Sequence, residues 1–433
     1  MSQEPLIALA KRLFPFDYSV TGIGNDASAS VLNAELPFQT FEYASGRELN
    51  GWIIPPACIV DKAELRHQGK VVYDGKKQVL GVPAQSDSFV GRLTLEELQY
   101  HLFTAPNSVD AVPYHWMRLY RPNEPVWGFC IPASIVKGLP AGEYDVELRT
   151  RLVPATMKVF THKLVGETDK IILLNAHNCH PYQANDDISG IVTGIEVLRR
   201  LARLPRRRYT YLLMVAPELF GPMFWLDEID SKDIGKLCGA VMLKSVGNDR
   251  ALRLQESYHG RSAIDKAAHY AFKRRYGTYE SGEFRTIYGN DETVFESPPF
   301  AIPSISLTRW PFAEYHTDQD TPERLIEQRL QDTVETTLEI CRALEMNLQP
   351  VTSKRGLVCL SAYGLYKQIP IIGESGVDYT SMAGRWNRLM NSLPRLMDGK
   401  NDLFEIAERF ELPFEEVHAY VQKWIAHGLA QAE

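Results

Sequence analysis

From about residue 147 onward, short apolar runs alternate with helix-like stretches. The runs are Ile171–Asn175, Tyr209–Ala216, Ala240–Lys244 and Ser304–Leu307; the helical stretches cover 188–203, 262–275 and 322–347. Continuous apolar runs separated by segments of 3.6-residue period predict an α/β domain, a mixed sheet flanked by helices. In open sheets of this kind, ligands bind beyond the carboxyl ends of the strands. The loops that follow each run are therefore where chemistry is expected.

The richest of these loops is Asn175 to Gly190, which carries His177, His180, Asp186 and Asp187. Imidazole and carboxylate are the usual ligands of a catalytic zinc. The same residues also fit a polar loop whose Asp caps the next helix. Glu218 follows the second run in Pro217-Glu218, Lys244 closes the third, and Tyr315-His316 precedes the long helix. Two histidines from one loop, an Asp pair, a Glu and a distant His compose a hydrolytic metal site with a carboxylate base.

The remaining chain departs from this alternation. Residues 4–14 predict an amphipathic helix and 27–36 a second, weaker one. Between 47 and 146, short β-like runs such as Lys70–Gly75 and Trp127–Pro132 predict a small β-rich unit, interrupted by a helix from Thr94 to Phe103. Pro350, Gly356, Pro370, Gly373 and Gly376 mark a change of composition. Residues 381–433 show two short helices joined at Leu412-Pro413, a helix-turn-helix pattern that predicts a winged-helix unit. DNA is disfavoured as its partner, because Arg385–Glu433 holds six Lys/Arg against eight Asp/Glu, the wrong sign for phosphate. Trp424 and Phe414 read as exposed and allow a homo-oligomer. The net charge of -7, the absence of a transmembrane-length run or signal-peptide pattern, and six scattered cysteines predict a cytoplasmic protein without membrane or nucleic-acid partners.

Several segments carry a family resemblance. They are Tyr18-Ser19-Val20-Thr21-Gly22, Trp127-Gly128-Phe129-Cys130, Cys179-His180-Pro181 with Ala184-Asn185-Asp186, Pro217-Glu218, Asn290-Asp291-Glu292 and Glu314-Tyr315-His316-Thr317. On these the chain resembles the zinc aminopeptidase and glutaminyl-cyclase superfamily. Within it, the chain is similar to a bacterial aminopeptidase-like branch often encoded among polysaccharide-biosynthesis genes. The resemblance covers nearly the whole chain. It implies an aminopeptidase-like (phosphorylase/hydrolase-like) domain at 1–46 and 147–380, a β-rich inserted domain at 47–146 and a winged helix at 381–433.

Position by position, the resemblance implies that His316 is the last zinc ligand and Asp186 the acid that bridges two metals in the superfamily. His177 and His180 both remain candidates for a further ligand. Of the superfamily's two adjacent glutamates only Glu218 is present, so the base and ligand roles both stay open to it. Where the superfamily has a second-metal Asp, this chain has Lys244, and an ammonium cannot ligate a cation. One zinc is therefore expected rather than two, with Lys244 supplying the missing positive charge. Glu218, Lys244 and Tyr315 are the catalytic candidates. Asp291 and Glu292 are candidates to bind a substrate amine, or else are acids of a surface loop. The expected reaction is hydrolysis of an amide bond in a small peptide or an aminoacylated small molecule. The alternatives are an amidase or acyl-transfer enzyme in polysaccharide or natural-product assembly, and a catalytically weak binding or scaffold protein.

Overall fold

A computed structural model describes residues 4–368 and 378–432, so Pro370, Gly373 and Gly376 of the expected composition change lie outside the described residues. The chain divides into two units, Met1–Asp265 with Phe272–Leu338, and Lys266–Ala271 with Glu339–Glu433.

The first unit is built on an eight-stranded mixed sheet. Its order is Gln39–Ala44, Thr156–Leu164, Thr210–Ala216, Ile171–His177, Leu237–Lys244, Ser304–Thr308, Arg253–Gln255 and Ser281–Gly282. The four middle strands run parallel to one another, and antiparallel strands flank them. Every residue of Ile171–His177 and Thr210–Ala216 is buried. Coverage of both faces is why these strands read as continuous apolar runs rather than alternating ones. The helix Ser189–Ala202 presses on the sheet closely. A Cβ on Gly190 would stand 2.0 Å from the Leu243 carbonyl oxygen, so only glycine lets the first turn approach that strand.

Two predicted helices are shorter than their patterns suggest. The long one begins at Glu327, not 322. Pro322–Arg324 forms a separate 3-10 turn, and the Ile326 N–H donates to the Gly247 carbonyl instead of entering the helix. The other stops at Gln99, because Leu102–Phe103 pairs as a strand with Phe129–Cys130.

A second, four-stranded antiparallel sheet lies between the first and second strands of the large one in sequence. Its order is Lys70–Asp74, Ala57–His67, Glu143–Val153 and Phe89–Thr94. Glu143–Val153 crosses residue 146, so the β-rich segment reaches further than its composition indicates. Leu65, Phe129, Tyr144, Val146 and Leu148 form a small apolar core beneath it. From this region the chain returns to the large sheet. Pro113 bridges to Thr317, and the Tyr114 N–H donates to the His316 carbonyl at 2.7 Å.

The second unit contains the helices Met382–Leu396, Leu403–Phe410 and Phe414–Ala426. Its last strand, Ala430–Ala432, pairs with Pro350–Thr352, which precedes the helices. Phe414 and Trp424 are 6% and 0% exposed, contrary to their expected exposure. With Val417 and Val421 they form one apolar stripe at helical spacing, and that stripe faces the unit's interior. Among the described residues, no helix is long and apolar enough to cross a membrane.

Candidate metal centre

The parallel strands deliver their carboxyl ends to one edge of the sheet, and the candidate residues meet there. His177 ends one strand, Lys244 ends its neighbour, and Glu218 lies two residues past a third. His180 and Asp186 come from the loop after His177. His316 arrives on the segment after Ser304–Thr308.

His180, Asp186 and His316 each offer a ligand atom, and the three atoms lie within 4.8 Å of one another. Nε2 of His180 is 3.5 Å and Nε2 of His316 is 3.4 Å from Oδ2 of Asp186. That spacing suits atoms sharing one tetrahedral ion, since bonds of ~2.0–2.1 Å place ligand atoms ~3.3 Å apart. Protonation agrees. Nδ1 of His180 lies 2.9 Å from the Pro181 carbonyl, an acceptor only, so Nδ1 donates there and Nε2 is the nitrogen that faces Asp186. Burial pushes His316 down to about 4 against the pull of Asp186, so it is a neutral imidazole at pH 7. Oδ2 of Asp186 is buried without a hydrogen bond. Two imidazole nitrogens converging on one buried carboxylate oxygen are the arrangement a shared cation would satisfy. The donor set fits zinc, with three protein ligands and room for a fourth.

The loop is held by acids that do not face this centre. Asp320 accepts from the N–H groups of Asn185 and Asp186 at 2.8 and 2.9 Å. Asp187 accepts from those of His177 and Ser245 at 3.1 and 3.0 Å, and burial raises it to about 7. Of the expected Asp pair, only Asp186 therefore belongs to the centre. Aromatic rings pack against both candidate imidazoles. Tyr114 stacks on His180 with centroids 4.6 Å apart, and Tyr315 stacks on His316 at 3.8 Å.

His177 stands apart from the trio. Its Nε2 lies 2.9 Å from Oδ2 of Asp291, and its Nδ1 lies 3.2 Å from the Lys244 ammonium. Burial and Lys244 work against charge on this ring, but Asp291 and Glu218 outweigh them and raise it to about 9. Nε2 is engaged by Asp291 and Nδ1 faces Lys244 and Glu218, so both ring nitrogens are occupied within the protein. Of the two candidate histidines, His180 is the one that shares the candidate cluster with Asp186 and His316.

Lys244 is buried and places its ammonium against Asp186, His177 and Glu218. The Asp186 contact is a close ion pair with Oδ1, and Oε2 of Glu218 lies 3.5 Å away. Three acceptors match three N–H groups. Burial opposes both charges, yet their mutual attraction keeps Lys244 well above and Asp186 well below the ordinary ranges. The ammonium thus occupies the middle of the groups around it as a fixed cation.

Asp291 and Glu292 are neither surface acids nor amine anchors. Both are 0% exposed. Asp291 accepts from Asn175, His177 and the Leu219 N–H. Glu292 accepts from the Asn290 N–H at 2.9 Å and from Gln255 at 3.3 Å. They brace the site from behind.

A cavity of about 320 Å³ opens on the centre. His180, His316 and Glu218 form its floor, while Tyr114, Trp116, Tyr120, Tyr288 and Tyr315 supply aromatic walls. The Tyr288 and Tyr315 hydroxyls hydrogen-bond to each other. Burial raises both phenols, which therefore stay protonated donors. Sequence reasoning missed Tyr114, Trp116 and Tyr288, since nothing local to them signals proximity to His316. Asp320 was missed as well, although it lies three residues past the Glu314-Tyr315-His316-Thr317 motif.

Residues 7–347 match the family described as a domain of unknown function, DUF4910. A Clostridium acetobutylicum protein named for polysaccharide biosynthesis and an aminopeptidase-like domain is 27% identical over 433 residues, spanning 98% of this chain and 94% of its own length. The crystal structure of a Clostridium acetobutylicum protein provisionally named a peptidase is similar at a TM-score of 0.78 and 24% identity, covering 99% of this chain and 96% of that one. The zinc aminopeptidase of Bacillus subtilis is similar at 0.61 and 14% identity, covering 77% and 92%. The fold is that of the aminopeptidases, as the motifs implied.

Proposed function

The chain belongs to the DUF4910 family, and from that starting point we propose that it is an amide-bond hydrolase working with one zinc ion held by His180, Asp186 and His316. The observation that carries the proposal is the pair of imidazole nitrogens, 3.5 and 3.4 Å from one buried carboxylate oxygen. Bound there, zinc would supply Lewis acidity toward a carbonyl oxygen and a lowered pKa for water.

The protein's own groups supply the rest. Glu218 faces the cavity and is the base. It takes a proton from the attacking water as the C–O bond forms, and returns a proton to the nitrogen as the C–N bond breaks. Lys244 pairs with Asp186 and attracts Glu218 from 3.5 Å without spending any N–H on substrate. Tyr288 and Tyr315 share one hydrogen bond, which leaves one O–H able to donate to a developing oxyanion. The aromatic walls exclude water and seat the acyl group.

A second reading, an amidase or acyl-transfer role on a non-peptide substrate, is supported by the burial of Asp291 and Glu292. Both are taken up by internal donors and are not open to a peptide's terminal ammonium. The polysaccharide-biosynthesis name of the 27% identical relative points the same way.

The test is a panel of aminoacyl nitroanilides and N-acylated amino sugars, assayed on zinc-loaded protein. Glu218→Gln is expected to lower kcat by about 10²-fold or more with zinc content unchanged. His316→Ala is expected to lose both zinc and turnover. Full activity in Glu218→Gln would contradict the assigned base.

A further inference from the structure

Charge around the cavity is lopsided. Among the described lining residues, Glu218 is the one carboxylate and Arg285 the one permanent cation. Glu218 already faces the Lys244 ammonium, so it has little charge to offer a second one. Arg285 stands on the loop after Ser281–Gly282, and its backbone is held at φ 59, a left-handed conformation that arginine seldom adopts.

The guanidinium has a seat. Its Nη1 donates to Oγ1 of Thr293 at 2.5 Å. Its Nη2 lies flat over Gly289, where an added Cβ would come within 2.3 Å. A larger residue at 289 would push the group away. Glu292 lies 3.9 Å off, but it is wholly buried and its pKa is pushed up to about 7 by that burial. It therefore neutralises the guanidinium incompletely. The other guanidinium N–H groups have no hydrogen-bond partner among the described residues, and the side chain is 46% exposed. A planar donor fork, oriented by its backbone and by one anchored nitrogen, matches a carboxylate.

We infer that Arg285 is a specificity-determining residue, and that the substrate presents a carboxylate to it while its amide lies at the His180, Asp186 and His316 centre. This rests on the hydrolase reading above and narrows it. The substrate class becomes an acidic amide, not a peptide chosen by its terminal ammonium.

Full-length zinc-loaded protein is titrated with alkyl hydroxamates of graded chain length, each ending in a carboxylate, a carboxamide or an ammonium. At one chain length the carboxylate-ended probe is expected to bind at least about tenfold tighter than its carboxamide counterpart, the least that one charge-assisted contact gives. Arg285→Gln should bring that ratio to near one. Gly289→Ala should lower it although the arginine remains, which separates positioning from charge. A ratio near one at every length in the unmodified protein, a ratio untouched by Arg285→Gln, or tighter binding of the ammonium-ended probe would overturn the inference. Tight binding of carboxamide-ended probes with no charge preference would leave the hydrolase reading standing. Failure of every hydroxamate to bind would remove both.

Discussion

Replacing Lys244 by methionine is the perturbation that most sharply separates a fixed internal cation from an ordinary buried lysine. Methionine keeps most of the volume and removes the charge. Asp186 and Glu218 would then face each other without the ammonium between them. At 3.5 Å, the Lys244–Glu218 attraction alone is roughly 4–5 kcal/mol before desolvation, taking an effective dielectric near 20. Methionine avoids the ammonium's desolvation cost, so the net loss is smaller. Breaking one partner from a buried ion cluster costs about 3–5 kcal/mol. The loss is full at pH 7. The raised Lys244 pKa contributes stability below its unfolded value near 10.4, lost only as pH rises through the higher folded value. The depressed Asp186 pKa contributes stability above about 3.9, lost only as pH falls through the folded value. Urea unfolding of metal-free protein measures the change. The double variant Lys244→Met with Glu218→Gln should recover about 1–2 kcal/mol, because the two groups touch. Zinc should also bind Lys244→Met more tightly than the unmodified protein, since a repelling charge beside Asp186 is gone. A metal-free Lys244→Met protein within about 1 kcal/mol of the original, with additive behaviour in the double variant, would refute this account.

Two further predictions test the supporting structure. Glu292 has a carboxyl raised to about 7, so its protonated form favours folding below its unfolded pKa, and that contribution fades as pH rises through 7. The rise is equivalent to roughly 3 kcal/mol, and Glu292→Gln should flatten the decline between pH 5 and 8 by about that amount in pH-dependent denaturation. Gly190→Ala would drive a methyl group to 2.0 Å from the Leu243 carbonyl oxygen; it should cost about 1–3 kcal/mol or more, and Tm measurements would show it.

How much of this was legible in the sequence follows from where each cause lies. The parallel strands were readable because Ile171–His177 and Thr210–Ala216 are apolar on both faces. Asp186 and His316 were readable from local motifs. His177 and His180 were not separable, because the choice is made by Asp291, 114 residues from His177, and by Lys244, 67 residues away. Asp291 and Glu292 read as amine-binding or surface acids because charge in sequence says nothing about burial, which the Asn175, Gln255 and Leu219 contacts enforce. Trp424 was misread for a similar reason: its partners lie across a helical stripe, and the unit's interior covers it.

Zinc content together with the metal's absorption-edge fine structure tests the central claim most directly. The account predicts one zinc per chain, bound by two imidazole nitrogens and one carboxylate oxygen, with the signal lost in His180→Ala and retained in His177→Ala. Two zincs per chain, or loss of the ion in His177→Ala with retention in His180→Ala, would contradict it.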